Sequence, residues 1–99
     1  MALTQVARMK ANDMVANNYF GHVSPDLGTP DQMIRNAGIT FIGGGEVIAE
    51  AANYSMAQMN LMNSPEHYQI IMGSANNEVG VAVVPVNNYV IVVEEFIDA

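Results

Sequence analysis

The stretch VGVAVVPVNNYVIVVEEF, Val79 to Phe96, decides the fold. Val79–Val86 and Tyr89–Phe96 are rich in β-branched residues, and the Asn87-Asn88 pair between them tolerates the positive φ of a tight hairpin turn. Strict alternation of apolar and polar residues would mark a sheet with one wet face. Here odd and even positions are apolar alike, so the spacing predicts an antiparallel hairpin covered on both faces. Helical segments upstream supply the covers. The expected class is α+β, an α-β-α sandwich with an antiparallel sheet and helices on both faces. Glu94-Glu95, near the end of the second run, reads as solubilising charge at an edge or end of the sheet.

Working upstream, Leu3 to Tyr19 reads as an amphipathic helix. Leu3, Val6, Ala7, Met14, Val15 and Tyr19 recur at three- and four-residue spacing, with Gln5, Lys10, Asn12 and Asp13 between them. Asn17-Asn18 and Gly21 end it. Thr29-Pro30-Asp31-Gln32 has the chemistry of a helix start: a threonine cap, proline at the first helical position, and a glutamine able to reach back. That helix stops at Asn36-Ala37-Gly38. Ile39–Ile42 is a short strand candidate, followed by Gly43-Gly44-Gly45 as a hinge. Glu46 and Glu50 would share a solvated face if the chain is helical from Val47 onwards. Ser55 and Gln58 read as a capping box that opens a helix to Met62, and Ser64-Pro65 restarts the chain as a further helical turn carrying Glu66 and His67. No internal repeat or second domain is visible, so residues 1–99 read as one domain.

The chain has 99 residues, of which 51% are hydrophobic, so it is globular in composition and small. A domain of this size buries only about 60–65% of its unfolded surface, which leaves a thin stability margin. Ten acidic residues against three basic ones give a net charge of -7. Arg8, Lys10 and Arg35 form no cluster, so a nucleic acid or an anionic membrane surface is not an expected partner. No apolar run approaches the length of a membrane span, and no basic and apolar leader opens the sequence. Cysteine is absent, which excludes disulfides and thiolate chemistry without naming a compartment.

Three segments, taken in order, carry a family resemblance. KANDMVANNYFGHVSPDLGTPDQMIRNAG, Lys10 to Gly38, is similar to a pattern in which a helix ends in an aromatic residue before a histidine, a Ser-Pro-Asp turn and a threonine-initiated helix. GEVIAEA, Gly45 to Ala51, resembles a Gly-Glu-Asn-Ile-Ala motif. LMNSPEHYQIIMGSANNEVGVAVV, Leu61 to Val84, resembles a Trp-Met-x-Ser-Pro-x-His motif and the Ile-Gly-Val-Gly strand after it. Together they resemble bacterial members of the CAP superfamily: cysteine-rich secretory proteins, antigen 5 and pathogenesis-related proteins. Val47 stands where that pattern has asparagine, Leu61 where it has tryptophan, and Ile70 where it has asparagine.

The resemblance implies an α-β-α sandwich with a cleft that gathers two histidines and up to two glutamates. Residue by residue it assigns His22, Glu46 and His67 to that cleft. The remaining family glutamate has no match, and Glu66 is kept as a cleft candidate without that role. Imidazoles with a carboxylate suit zinc or another divalent cation, so His22, His67 and Glu46 are the candidate metal ligands. Neither histidine belongs to His-Glu-x-x-His, and no Gly-x-Ser-x-Gly elbow exists, so the sequence supports neither a metalloprotease nor a serine hydrolase. Ser64 and Thr29 serve better as helix caps than as nucleophiles. Met56, Met59 and Met62 recur at three-residue spacing, as core filling or as a groove lining.

Three roles follow as expectations. The first is an extracellular or cell-envelope binding domain for a protein, peptide or cell-wall ligand, with catalysis not expected. The second is a metal-dependent hydrolase of peptide or cell-wall material. The third is a structural role as a homodimer, because the family's first helix has no counterpart ahead of Leu3.

Overall fold

A computed structural model describes residues 2–62 and 78–98. The expected helical turn at Ser64-Pro65, with Glu66 and His67, lies outside the described residues. The elements run α1 (Ala2–Ala16), α2 (Pro30–Asn36), β1 (Gly43–Ala51), α3 (Tyr54–Met62), β2 (Glu78–Val86) and β3 (Tyr89–Asp98). The sheet is antiparallel throughout, in the order β1-β3-β2.

The hairpin forms as its sequence predicts. Val86 pairs with Tyr89 across the turn, where Asn87 adopts φ 53°. Because β1 pairs with the other side of β3, the last strand is central, and alternate residues enter two different cores. Ile48, Ala82, Ile91 and Val93 pack under Ala7, Ala11 and Met14 of α1. Val47, Ala49, Val92 and Phe96 pack under Ala57 and Leu61 of α3. A third cluster joins Leu3 and Val6 to Met33 and Ile34 of α2, with Phe41 and Ile97. The sheet thus has helices on both faces. Val92 and Val93 are fully buried on opposite sides, and each such side chain contributes about 1.5–3 kcal/mol over its exposed form.

Several local expectations are revised. The first helix ends at Ala16, and Asn18 turns the chain with φ 54°, so Tyr19 hangs from the loop rather than the helix. Lys10 is fully buried on the apolar stripe of α1, three residues from Ala7 and four from Val6 and Met14. Ile39–Ile42 is not a strand; Phe41 instead fills the third cluster beneath the Arg35 guanidinium, 4.3 Å from the ring centre. The three glycines open β1 itself. Gly44 lies so close to the Phe96 carbonyl that an added Cβ would sit 2.1 Å from its oxygen. Glu46 and Glu50 therefore lie on a strand, four residues apart and on one face of the sheet.

Helix caps show one agreement and one revision. Thr29 and Gln32 form the expected capping box, with Pro30 in the first turn. At α3 the cap is Asn53, whose side chain accepts from the Met56 amide at 2.9 Å, while Ser55 is already inside the helix. Glu94 and Glu95 depart furthest from expectation. They are buried on the central strand, one under each helical layer, and are not surface charge.

Candidate functional site

The His22 ring is delivered by the loop after α1, and the Glu46 carboxylate by the first turn of the pleat after the glycines of β1. Their side chains meet: His22 Nδ1 lies 2.8 Å from Glu46 Oε1. The imidazole is about half exposed, at 51%, while the Glu46 side chain is buried. One ring nitrogen is thus engaged from below and the ring itself faces outward.

Lys10 holds this pair from α1. Its Nζ donates to the His22 carbonyl oxygen at 2.5 Å and lies 4.0 Å from Glu46 Oε1, too far for a hydrogen bond but close for a charge. The same ammonium lies 5.3 Å from the centre of the Tyr19 ring. A buried cation is costly unless paired, so Lys10, Glu46 and the His22 carbonyl are mutually required. They fix the histidine loop to the sheet.

Beneath them lies Glu95, opposite Glu46 in the strand register and fully buried. Burial pushes the Glu95 carboxyl far up from its ordinary value, and contact with the Glu46 carboxyl raises it further. Among the described residues, Glu46 Oε2 and both Glu95 oxygens have no other hydrogen-bond partner. A proton held by Glu95 gives Glu46 Oε2 a donor, while Lys10 and His22 lie against Glu46 Oε1. On the opposite face of β3, Glu94 is also raised by burial, and Gln58 of α3 donates to it.

A second polar cluster anchors the loop. Asp13 accepts from the Tyr19 hydroxyl, from Ser24 Oγ at 2.6 Å and from Asn17 at 2.6 Å. Partial burial alone would raise the Asp13 carboxyl, but these donors and Lys10 together hold it below its usual value. Tyr19 shows the reciprocal effect, pushed up to about 12 by burial and by its bond to Asp13. Ser24 Oγ also accepts from the amides of Asp26 and Leu27, so its hydroxyl is committed to the turn. Thr29 serves as the cap of α2, accepting from the Gln32 amide.

Of the residues expected in the cleft, His22 and Glu46 are therefore brought together, and His67 and Glu66 lie outside the described residues. Among the described residues no three His, Cys, Asp or Glu side chains converge as metal ligands. Lys10 and Glu95 were not anticipated. A groove of about 290 Å³ lies beside this cluster and shares Tyr19 with it, but neither His22 nor Glu46 lines it. Among the described residues no helix is long and apolar enough to cross a membrane.

The profile of the cysteine-rich secretory protein (CAP) family matches residues 1–96. The chain belongs to this family. Over 83 residues it is 35% identical to the uncharacterised protein YkwD of Bacillus subtilis, a match covering 83% of this chain and 32% of that protein. An extracellular protein of Bacillus anthracis containing an SCP domain matches all of this chain over 32% of its own, with 28% identity and a TM-score of 0.79. An outer surface protein of Borrelia burgdorferi has the same fold: TM-score 0.86 over 96% of this chain and 71% of that one, at 23% identity. The chain thus spans about a third of the length of the curated relative it matches. This bacterial CAP domain brings His22 of the first motif against Glu46 of the second, with Lys10 and Glu95 packed beside Glu46.

Proposed function

We propose that this chain is an extracellular or cell-envelope CAP domain that binds a protein, peptide or cell-wall ligand through the His22 cleft and performs no catalysis there. The observation that carries this reading is the half-exposed His22 ring, tied through Nδ1 to a buried carboxylate that is itself locked by Lys10. Such a ring offers one oriented nitrogen, Nε2, at the surface. Orientation suits recognition, and among the described residues the hydroxyls of the His22 loop region, Tyr19, Ser24 and Thr29, are engaged in local hydrogen bonds.

A divalent cation fits this arrangement in one specific way. Carboxylates that bond one nitrogen of a histidine commonly set the other for a metal. On that reading His22 and His67 hold the ion and Glu46 orients His22 rather than ligating. A bound zinc would supply Lewis acidity and a coordinated water. The sited relatives described as extracellular and outer surface proteins support the location. Exposed Val23, Ile42 and Met59 support a homodimer, and sedimentation independent of concentration would remove that part.

The reading is tested by incubating the protein, with and without zinc, with peptide mixtures and purified cell-wall fragments. The expected result is retention without turnover. Hydrolysis abolished both by chelation and by His67→Ala would replace the binding role with a metal-dependent hydrolase.

A further inference from the structure

We propose that the groove beside the His22 cluster is a receptor for one lysine or arginine side chain of a peptide partner. The groove lies between the end of α1 with its following loop and the sheet edge near the hairpin. Among the described residues, Tyr19, Phe20 and Tyr89 contribute aromatic rings to it, and Glu50 is the one charged residue that lines it. Phe20 and Glu50 are exposed. The inference goes beyond the cleft reading and stands whether or not His22 binds anything.

Charge and shape select the occupant. A purely apolar ligand would cover Glu50 without pairing it, and desolvating an unpaired carboxylate is unfavourable. A cation meets the reverse situation, because aromatic faces and a carboxylate both attract it. Neither Lys10 nor Arg35 is available to the groove. Lys10 is buried against Glu46, Arg35 lies over Phe41, and none of the described residues lining the groove is basic. Among the described residues Glu50 has no ion-pair partner. Tyr19 already receives one ammonium, that of Lys10, at 5.3 Å from its ring centre, so cation recognition by this wall occurs once within the fold itself. The net charge of -7 draws basic peptides towards the surface before contact. At about 290 Å³ the groove is at the small end of ligand sites, enough for one long side chain and short of a larger organic ligand.

The test compares two capped tripeptides, Gly-Lys-Gly and its norleucine analogue, which has the same unbranched apolar stem without the ammonium. Each is titrated to about 10 mM into isotopically labelled protein while backbone amide shifts are followed, a range that reads dissociation constants near 1 mM. The lysine peptide is expected to shift Asn18, Phe20 and Glu50 saturably and to bind at least about fivefold more tightly than the norleucine peptide. Glu50→Gln should weaken lysine binding about fivefold, and Phe20→Leu, which keeps apolar bulk without a ring, should weaken it as well. Both positions are exposed, and an unchanged amide spectrum confirms that the variants fold. His22→Ala should bind the lysine peptide as the parent does, which separates this site from the cleft. Equal binding of both peptides, shifts confined to other regions, or no saturable shift would each overturn the proposal.

Discussion

Replacing Glu95 with glutamine should stabilise the protein at neutral pH, by more as the pH rises. Glu95 is fully buried opposite Glu46, and burial followed by that carboxyl contact pushes its carboxyl up to about 10. In the unfolded chain the same group ionises near its ordinary value of 4.5. Between those limits the folded state holds a proton that the unfolded state has lost. Stability is therefore fully present below about pH 4.5 and declines as pH rises, at about 1.4 kcal/mol per unit for one proton. From pH 5 to pH 8 this amounts to at most about 4 kcal/mol, a large share of the stability of a small domain. Glutamine keeps a donor for Glu46 Oε2 and cannot ionise, so the variant should lose the slope. Glu94, raised by burial, adds a decline of the same sign, whereas Asp13, held low, loses its contribution only on acidification below the usual carboxylate range. Urea unfolding at unit steps from pH 5 to pH 8, at fixed ionic strength, measures the effect. The stability difference between Glu95→Gln and the parent should widen in favour of the variant across that series. A parent with no pH slope, accompanied by a variant less stable at every pH, would mean that Glu95 is ionised and held by Lys10, and the reasoning would fail.

Other consequences are direct. Lys10→Met removes the buried cation beside Glu46 and the donor to the His22 carbonyl, and should cost about 3–5 kcal/mol, read from thermal unfolding. Gly80→Ala would place a Cβ 2.4 Å from the Leu3 backbone, forcing α1 off the sheet; a lowered melting temperature with loss of more than about 1 kcal/mol is expected. Asn53→Ala should destabilise by about 1 kcal/mol and Ser55→Ala by much less, because Asn53 provides the cap of α3.

The hairpin and the capping box of α2 were legible because their signals are local: β-branched runs about a tolerant turn, and Thr-Pro-x-Gln at fixed spacing. Glu94 and Glu95 were misread for a reason visible in the same stretch. Adjacent strand residues point to opposite faces, so a strand covered on both sides must bury both glutamates. What the sequence alone withheld was that β1 pairs beyond β3 and makes it central. Glycines at Gly43–Gly45 carry no side-chain pattern, so the start of β1 looked like a hinge. The charge of Lys10 suggests the polar face, although its spacing from Val6, Ala7 and Met14 puts it on the buried stripe. The motifs located His22 and Glu46, whereas the Lys10 and Glu95 that support them come from elements distant in sequence, and their convergence is a product of the fold.

The central claim is an oriented His22 ring that binds in company with His67. Its most direct measurement is zinc calorimetry on the intact chain and on the His22→Ala, His67→Ala double variant in the same buffer. One saturable site is expected in the parent, absent from the double variant and about tenfold or more weaker in Glu46→Gln. Identical heats for the parent and the double variant would contradict it.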